Sequence, residues 1–277
     1  MGSEVELFLE SAGGVHLLAE AEDEFHQMES RLSRFRPDSE LSQLNRLGAM
    51  RVGPELLELA QLALEAREWT AGRFDPTVHE ALVATGYDKS FELLSASAEE
   101  PTVEPPRCSG RITVDVASST IVLEQGFRLD LGGIAKGWTA DRALAVLAQG
   151  GPALVNAGGD IASAGRPWPV GVHTPDGAMT LELADGALAT SGCDRRTWRQ
   201  GDADRHHLID PSTGLPSEGD LLTVTTAART AAEAEVLATS LFLCHNADAA
   251  AVEADHRGVP TVLVTRDGRT RLAGGLA

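Results

Sequence analysis

Asp130-Leu-Gly-Gly-Ile-Ala-Lys-Gly137 runs without a break into Trp138-Thr-Ala-Asp-Arg-Ala-Leu-Ala-Val-Leu-Ala148. The short apolar run at its front, Phe127-Arg-Leu-Asp130, reads as a strand, and the two glycines permit a tight turn or a close backbone approach. Ala140, Ala143, Leu144 and Leu147 then recur at helical spacing. The stretch is therefore expected to be a strand, a glycine turn and a helix with Lys136 near its start. Free N–H groups at a helix N-terminus attract anions, and a lysine beside them adds charge. A phosphate-bearing ligand is the expectation. The pattern is neither Gly-x-Gly-x-x-Gly nor a Gly-rich loop ending in Gly-Lys-Ser/Thr, so the two common nucleotide fingerprints are absent.

Working toward the N-terminus, residues 4–10 alternate as a strand and 13–33 carry a helical apolar stripe of Leu17, Ala21, Phe25, Met28 and Leu32. A polar loop over 33–45 holds a short helical turn that Ser39 can cap. Pro54 opens a helix through Trp69. Gly72-Arg-Phe-Asp-Pro-Thr77 breaks it, 78–84 is helical again, and Ser, Glu and Pro make 95–110 a linker or mobile-loop candidate. Strands are expected at 111–115, 119–123 and 127–130, and beyond the central helix at 153–156, 168–172, 179–183, 187–190, 205–209 and 221–227. Helices at 230–243 and 247–255 precede closing strands at 260–265 and 269–272. Grouped strands with separate helices favour an α+β fold over a doubly wound parallel sheet.

The 277 residues are 43% hydrophobic, which supplies a normal core, and no apolar run reaches the roughly 18 residues of a membrane helix. Lys and Arg number 23 against 41 Asp and Glu, a net charge of −18, which argues against nucleic acid and anionic membranes as partners. An anionic ligand then needs a locally positive seat. Cys108, Cys193 and Cys244 are few, scattered and without a Cys-x-x-Cys pair, consistent with reduced thiols. The acidic N-terminus lacks the basic and apolar regions of a signal peptide, and a cytoplasmic protein is expected.

Several pairings could carry chemistry. Glu235 and Thr239 lie four apart on one helix face, with Leu237 and Leu241 directed to a core; their oxygens suit a hard cation such as Mg2+, while the spacing alone also fits an exposed Glu and a helix-interior Thr. His206 and His207 precede Asp210-Pro211 and a turn. On a strand they face opposite sides, so one of them could take a proton from a hydroxyl or both could be ordinary surface residues. Asn156-Ala-Gly-Gly-Asp160 ends an apolar strand in a sharp turn or a ligand approach, and Asp75 suits a turn or a site.

Taken in order, these pieces resemble the ApbE family of flavin transferases. The resemblance rests on Met1-Gly-Ser, Phe35-Arg-Pro-Asp-Ser-Glu-Leu-Ser-Gln-Leu-Asn45, Gly72-Arg-Phe-Asp-Pro-Thr-Val78, Asp130 to Gly137, Ala153 to Asp160, Leu188-Ala-Thr-Ser-Gly192, His207 to Gly214 and Glu235-Val-Leu-Ala-Thr-Ser-Leu-Phe242. It implies one domain over 1–277, of T-fold-like α+β type with a mainly antiparallel sheet and packed helices. It implies an enzyme that takes FAD as substrate and, with Mg2+, moves FMN to a Ser or Thr hydroxyl of an acceptor protein as a phosphoester, releasing AMP. The acceptor segment would resemble Asp-x-x-(Ser/Thr)-Gly-Ala-(Thr/Ser). By the same resemblance the metal ligands are the Gly133 carbonyl, Glu235 and Thr239. Met1, Phe35, Phe74, Asp75, Asp130, Lys136 and Ile209 contact FAD, and His207 is the candidate base. Two features depart from the pattern. Glu235 stands where the family's metal-binding Asp is usual, and many relatives carry a lipoprotein signal, whereas this chain starts at the Met-Gly motif. An FAD pyrophosphatase and a non-catalytic flavin-binding protein are the alternatives.

Overall fold

The computed structural model describes residues 4–11, 13–94, 104–244 and 246–276. Met1 and the 95–103 part of the expected linker lie outside them. Strand β1 (Val5–Leu9) leads to α1 (Val15–Leu32), α2 (Glu40–Leu47), β2 (Ala49–Arg51), α3 (Pro54–Trp69) and α4 (His79–Ala84). After a 3-10 turn at Phe91–Leu93 come β3 (Ile112–Asp115), β4 (Thr120–Leu123) and α5 (Ala135–Leu147). Then follow β5 (Ala153–Ala157), β6 (Asp160–Ala164), β7 (Trp168–Thr174), β8 (Gly177–Leu183) and β9 (Gly186–Gly192). Four short strands are next: β10 (Thr197–Gln200), β11 (Ala203–His206), β12 (Ile209–Asp210) and β13 (Leu215–Pro216). The chain ends through β14 (Leu221–Ala228), α6 (Ala231–Phe242), α7 (Ala247–Arg257), β15 (Thr261–Thr265) and β16 (Thr270–Ala273). No helix among the described residues is long and apolar enough to cross a membrane.

The chain divides into two compact units. Of the described residues, the first comprises 29–94, 104–133 and 193–218. In it β2, β4 and β3 form a three-stranded sheet, and β10–β11 and β12–β13 are two-stranded ribbons, all antiparallel. Helix starts and stops follow the local signals. The Ser39 hydroxyl accepts the Ser42 N–H at 3.0 Å, and Gly48 ends α2 in the left-handed region at φ 75°. Pro54 opens α3, where the missing N–H costs nothing.

The second unit comprises, of the described residues, 4–11, 13–28, 134–192, 219–244 and 246–276. Its centre is a seven-stranded sheet ordered β1-β5-β6-β9-β14-β15-β16, antiparallel at every step. This is the α+β architecture that the sequence pattern suggests, with the mostly antiparallel sheet that the family resemblance implies. Val155, Ala162, Val224 and Leu263 are buried on the sheet, and Ala140, Ala143, Leu147, Ala238 and Leu241 are buried on α5 and α6. The two helices cross closely. A methyl group on Gly137 would lie 2.3 Å from the Ala231 carbonyl oxygen, so glycine is needed there for space. The head of α6 is held from α5, where the Asp141 carboxylate accepts the Ala231 and Ala232 N–H groups at 2.7 and 3.0 Å. Thr230 accepts a further one from Glu233 at 3.2 Å.

Two expected strands differ. Residues 127–130 are not a strand. The Leu129 N–H donates to Asn45 Oδ1 (2.7 Å) and its carbonyl accepts from Asn45 Nδ2 (2.8 Å), while the Asp130 N–H donates to the Pro76 carbonyl (2.8 Å). A side-chain amide thus satisfies the backbone that a neighbouring strand would otherwise pair. The strand expected over 205–209 is broken at a bend at His207, between β11 and β12. Strands β2, β6, β10 and β13 had no counterpart in the sequence reading. All three cysteines are free. Burial, reinforced by the nearby Asp75 and Asp210 charges, pushes the Cys108 thiol up to about 12.

Candidate functional site

Chemistry-bearing side chains gather in two places, one in each unit. In the second unit, α5 begins at Ala135 with no side-chain cap from Ile134. Its first turn instead meets Glu235, reaching across from α6. Glu235 Oε2 accepts the Gly137 N–H at 2.9 Å, and its Oε1 is paired with the Lys136 ammonium. Lys136 Nζ also lies 2.6 Å from Asp160 Oδ2, at the start of β6. Helix end and lysine therefore already hold an anion, the protein's own carboxylate. Glu235 is only 4% exposed and Asp160 is equally buried. Burial, together with the Asp160 charge, pushes Glu235 up to about 7 against the opposing pull of Lys136. The exposed-surface reading of Glu235 is thereby overturned. One turn along α6, Thr239 Oγ1 shares a hydrogen bond with Ser191 Oγ at 3.0 Å.

The β5–β6 turn brings Asp160 into this cluster. Gly158 and Gly159 have φ of 67° and 104°, and the Gly159 N–H donates to Asn156 Oδ1 at 2.9 Å. The glycines serve the turn, and the residue that ends it supplies the second carboxylate. Sequence reasoning singled out this segment but not Asp160's place in the Lys136 cluster; the signal was an Asp placed directly after a glycine pair. The donors Glu235, Asp160, Thr239 and Ser191 are all oxygens, the set a hard cation prefers. No group of three or more His, Cys, Asp or Glu suited to a metal occurs among the described residues. A cation here would draw further ligands from a substrate's phosphates, as Mg2+ commonly does.

In the first unit, Phe35 packs against a buried apolar cluster of Ala81, Leu82, Tyr87 and Ile209, so two of the expected flavin contacts, Phe35 and Ile209, share one cluster. The rings of Phe35 and Tyr87 are 5.5 Å apart and those of Tyr87 and Trp198 are 5.2 Å apart. The Arg34 guanidinium lies 4.2 Å from the Phe35 ring centre and 4.7 Å from that of Tyr87. Arg34 Nε is 2.7 Å from Asp130 Oδ2, and Asp130 Oδ1 accepts the Gly132 N–H at 2.7 Å. His79, whose basicity burial lowers despite the Asp130 charge, completes this neighbourhood.

Phe74 and Asp75 play different parts. Neither Gly132 nor Gly133 has a positive φ; a methyl on Gly133 would lie 3.1 Å from the Phe74 ring, a tight contact that a shift of a few tenths of an ångström in the ring would relieve. Both Asp75 oxygens are engaged, Oδ1 by the Thr77 N–H (2.8 Å) and hydroxyl (2.7 Å) and Oδ2 by Ser109 Oγ (2.9 Å). Its carboxylate holds the loop that presents Phe74. Of the two histidines, His206 is buried, with Nε2 donating to the Ser217 carbonyl (2.9 Å) and Nδ1 accepting the Leu208 N–H (3.3 Å). His207 is half-buried at the bend.

The ApbE family model matches residues 1–263. The FAD:protein FMN transferase of Treponema pallidum is 28% identical over 282 residues, covering 90% of this chain and 77% of that protein. The protein of the same name from Vibrio cholerae is 27% identical over 259 residues, covering 87% and 78%. The crystal structure of the ApbE protein from Thermotoga maritima superposes with a TM-score of 0.85 at 25% identity, over 98% of this chain and 94% of that one. With the whole antiparallel core and both residue clusters in hand, a match of this extent means that the chain belongs to the ApbE family.

Proposed function

We propose that this chain is a Mg2+-dependent FAD:protein FMN transferase and that residues 1–277 work as one functional domain. The acceptor would be a Ser or Thr hydroxyl in a segment of Ser/Thr-Gly-Ala-Thr type. The observation that carries the reading is the buried Lys136–Asp160–Glu235 cluster at the head of α5, beside Thr239. The names borne by its relatives support it.

The reaction is a phosphoryl-centre substitution. The acceptor hydroxyl oxygen forms a bond to the phosphorus on the riboflavin side, the bond from that phosphorus to the bridging oxygen breaks, and AMP leaves with that oxygen. Such a step depends on positioning and charge neutralisation more than on covalent help. His207 takes the hydroxyl proton in this scheme. Glu235 and Thr239 would hold Mg2+, which supplies charge neutralisation for the diphosphate. Lys136 neutralises Glu235 and Asp160 without it, and its ammonium is the group able to turn toward a phosphate. Asp130, Phe35, Phe74 and Ile209 contact the nucleotide.

The test is incubation with FAD, Mg2+ and a fragment bearing the acceptor segment. In-gel flavin fluorescence on the fragment, with one AMP released per flavin attached, is the expected result. FMN and AMP released irrespective of the fragment would replace the transferase with a pyrophosphatase. Bound but intact FAD would leave a flavin-binding protein.

A further inference from the structure

We propose that the Lys136 ammonium is a built-in counterion that holds the cation place between Glu235 and Asp160, so that a divalent cation must take Glu235 from it in order to bind. Such an exchange rests on the metal reading above and goes beyond it by placing the ion's competitor within the chain itself.

The ammonium already does what an ion would do. Lys136 Nζ lies 2.6 Å from Asp160 Oδ2 and is paired with Glu235 Oε1. It thus joins carboxylates brought from β6 and α6 to the head of α5. A hard divalent cation seeks the same carboxylate oxygens, with the Thr239 hydroxyl one turn along α6. An ammonium and a divalent ion sharing Oε1 would repel each other at close range, so the two compete for it.

Glu235 is arranged for a change of partner. Its Oε2 accepts the Gly137 N–H at 2.9 Å, so Oε1 can pass from the ammonium to an ion while the carboxylate keeps its place. Asp160 then remains for the lysine, which keeps a buried charge from being left alone. The side chains of Asp160 and Glu235 are 4% and 5% exposed, and that of Lys136 is 15% exposed. An ion arriving from solvent therefore meets the lysine first. The residue type agrees with this role. Of the 23 Lys and Arg residues, only Lys89 and Lys136 are lysines. A guanidinium is a broad planar fork, whereas an ammonium is a compact point charge on a flexible stem, able to stand in for an ion and to withdraw from it.

The test titrates Mg2+ alone, by calorimetry, into nucleotide-free wild type, Lys136→Met and Lys136→Arg, with circular dichroism to verify folding. Methionine keeps much of the stem and removes the competing charge. Lys136→Met is expected to bind Mg2+ about 10-fold more tightly than wild type and to gain more in melting temperature from added Mg2+. Lys136→Arg keeps the charge and should gain neither. Folded Lys136→Met with no tighter Mg2+ binding than wild type overturns the inference, as does an equal gain in Lys136→Arg or the absence of Mg2+ binding by both wild type and Lys136→Met. If Lys136→Met does not fold, labelling of wild type decides. Limited acetylation, read by peptide mass spectrometry, reports Lys136 against the exposed Lys89 as internal reference. Added Mg2+ should raise the Lys136-to-Lys89 ratio several-fold, and a ratio unchanged at saturating Mg2+ overturns the inference. Wild type that transfers no flavin in the assay above overturns the transferase reading alone.

Discussion

Replacing Gly137 by alanine tests whether the α5–α6 crossing sets the geometry of the Glu235 cluster. The new Cβ would stand 2.3 Å from the Ala231 oxygen, 2.5 Å from its carbonyl carbon and 2.7 Å from the Ala232 nitrogen, where ordinary contact begins at 3.4 Å. All three are backbone atoms, so no side chain can rotate away, and the helices must separate by about 1 Å, the distance by which the closest contact falls short. Overpacking of this kind costs about 1–3 kcal/mol. The same shift stretches the two Asp141 hydrogen bonds to the head of α6, adding about 1 kcal/mol. Alanine's better helix propensity returns about 1 kcal/mol. The net loss is about 1–3 kcal/mol, or a melting temperature lower by roughly 2–5 °C. Because the Gly137 N–H is itself a donor to Glu235, flavin transfer should fall more steeply than stability. Thermal melts and the transfer assay on purified variant measure both. An unchanged or raised melting temperature with full transfer would refute the claim that space at Gly137 positions α6.

Glu235→Gln should still fold but lose about 1–3 kcal/mol, because its amide oxygen can accept the Gly137 N–H and Lys136 keeps Asp160 while the amide N–H2 faces the Lys136 ammonium; Mg2+-dependent transfer should be lost, and retained transfer at low Mg2+ would remove Glu235 from metal binding. His207→Ala should bind FAD normally and transfer flavin at least about 100-fold more slowly, with a pH–rate profile that loses its basic-group limb; an unaltered profile and rate would dismiss His207 as the base. Burial pushes Asp141 up to about 6 from the ordinary 3.8, so its neutral form is favoured by folding: the stability it contributes is complete below about pH 4 and is lost as pH rises through 6. Urea unfolding from pH 4 to pH 7 should therefore show the advantage of wild type over Asp141→Asn shrinking by up to about 3 kcal/mol, and a pH-independent difference would count against this assignment.

Where local chemistry determined structure, the sequence was readable. Ser39, Pro54 and the Thr230 to Glu233 pair mark helix starts through bonds that each makes with its own neighbours. The central helix and the Glu235–Thr239 face followed from periodicity alone. What escaped depends on partners distant in sequence. Leu129 and Leu131 are buried like strand residues, yet Asn45, 84 positions away from Leu129, occupies the place of the pairing strand. Strand β6, Asp-Ile-Ala-Ser-Ala, has small residues and weak alternation, and its pairing with β5 and β9 makes it a strand. Asp160 joins Lys136 and Arg34 joins Asp130 for the same reason, each through a partner 24 to 96 residues away that only the fold brings near.

The partition of the chain has a practical outcome. Passage from one unit to the other occurs inside α1 at Met28, between Gly133 and Ile134, after Gly192 and after Glu218. Each unit is thus assembled from interleaved stretches of polypeptide, and no single truncation yields either one intact. Dissecting this protein will call for co-expressed fragments or a permuted chain, and a nested set of terminal deletions will remove pieces of both units before isolating one.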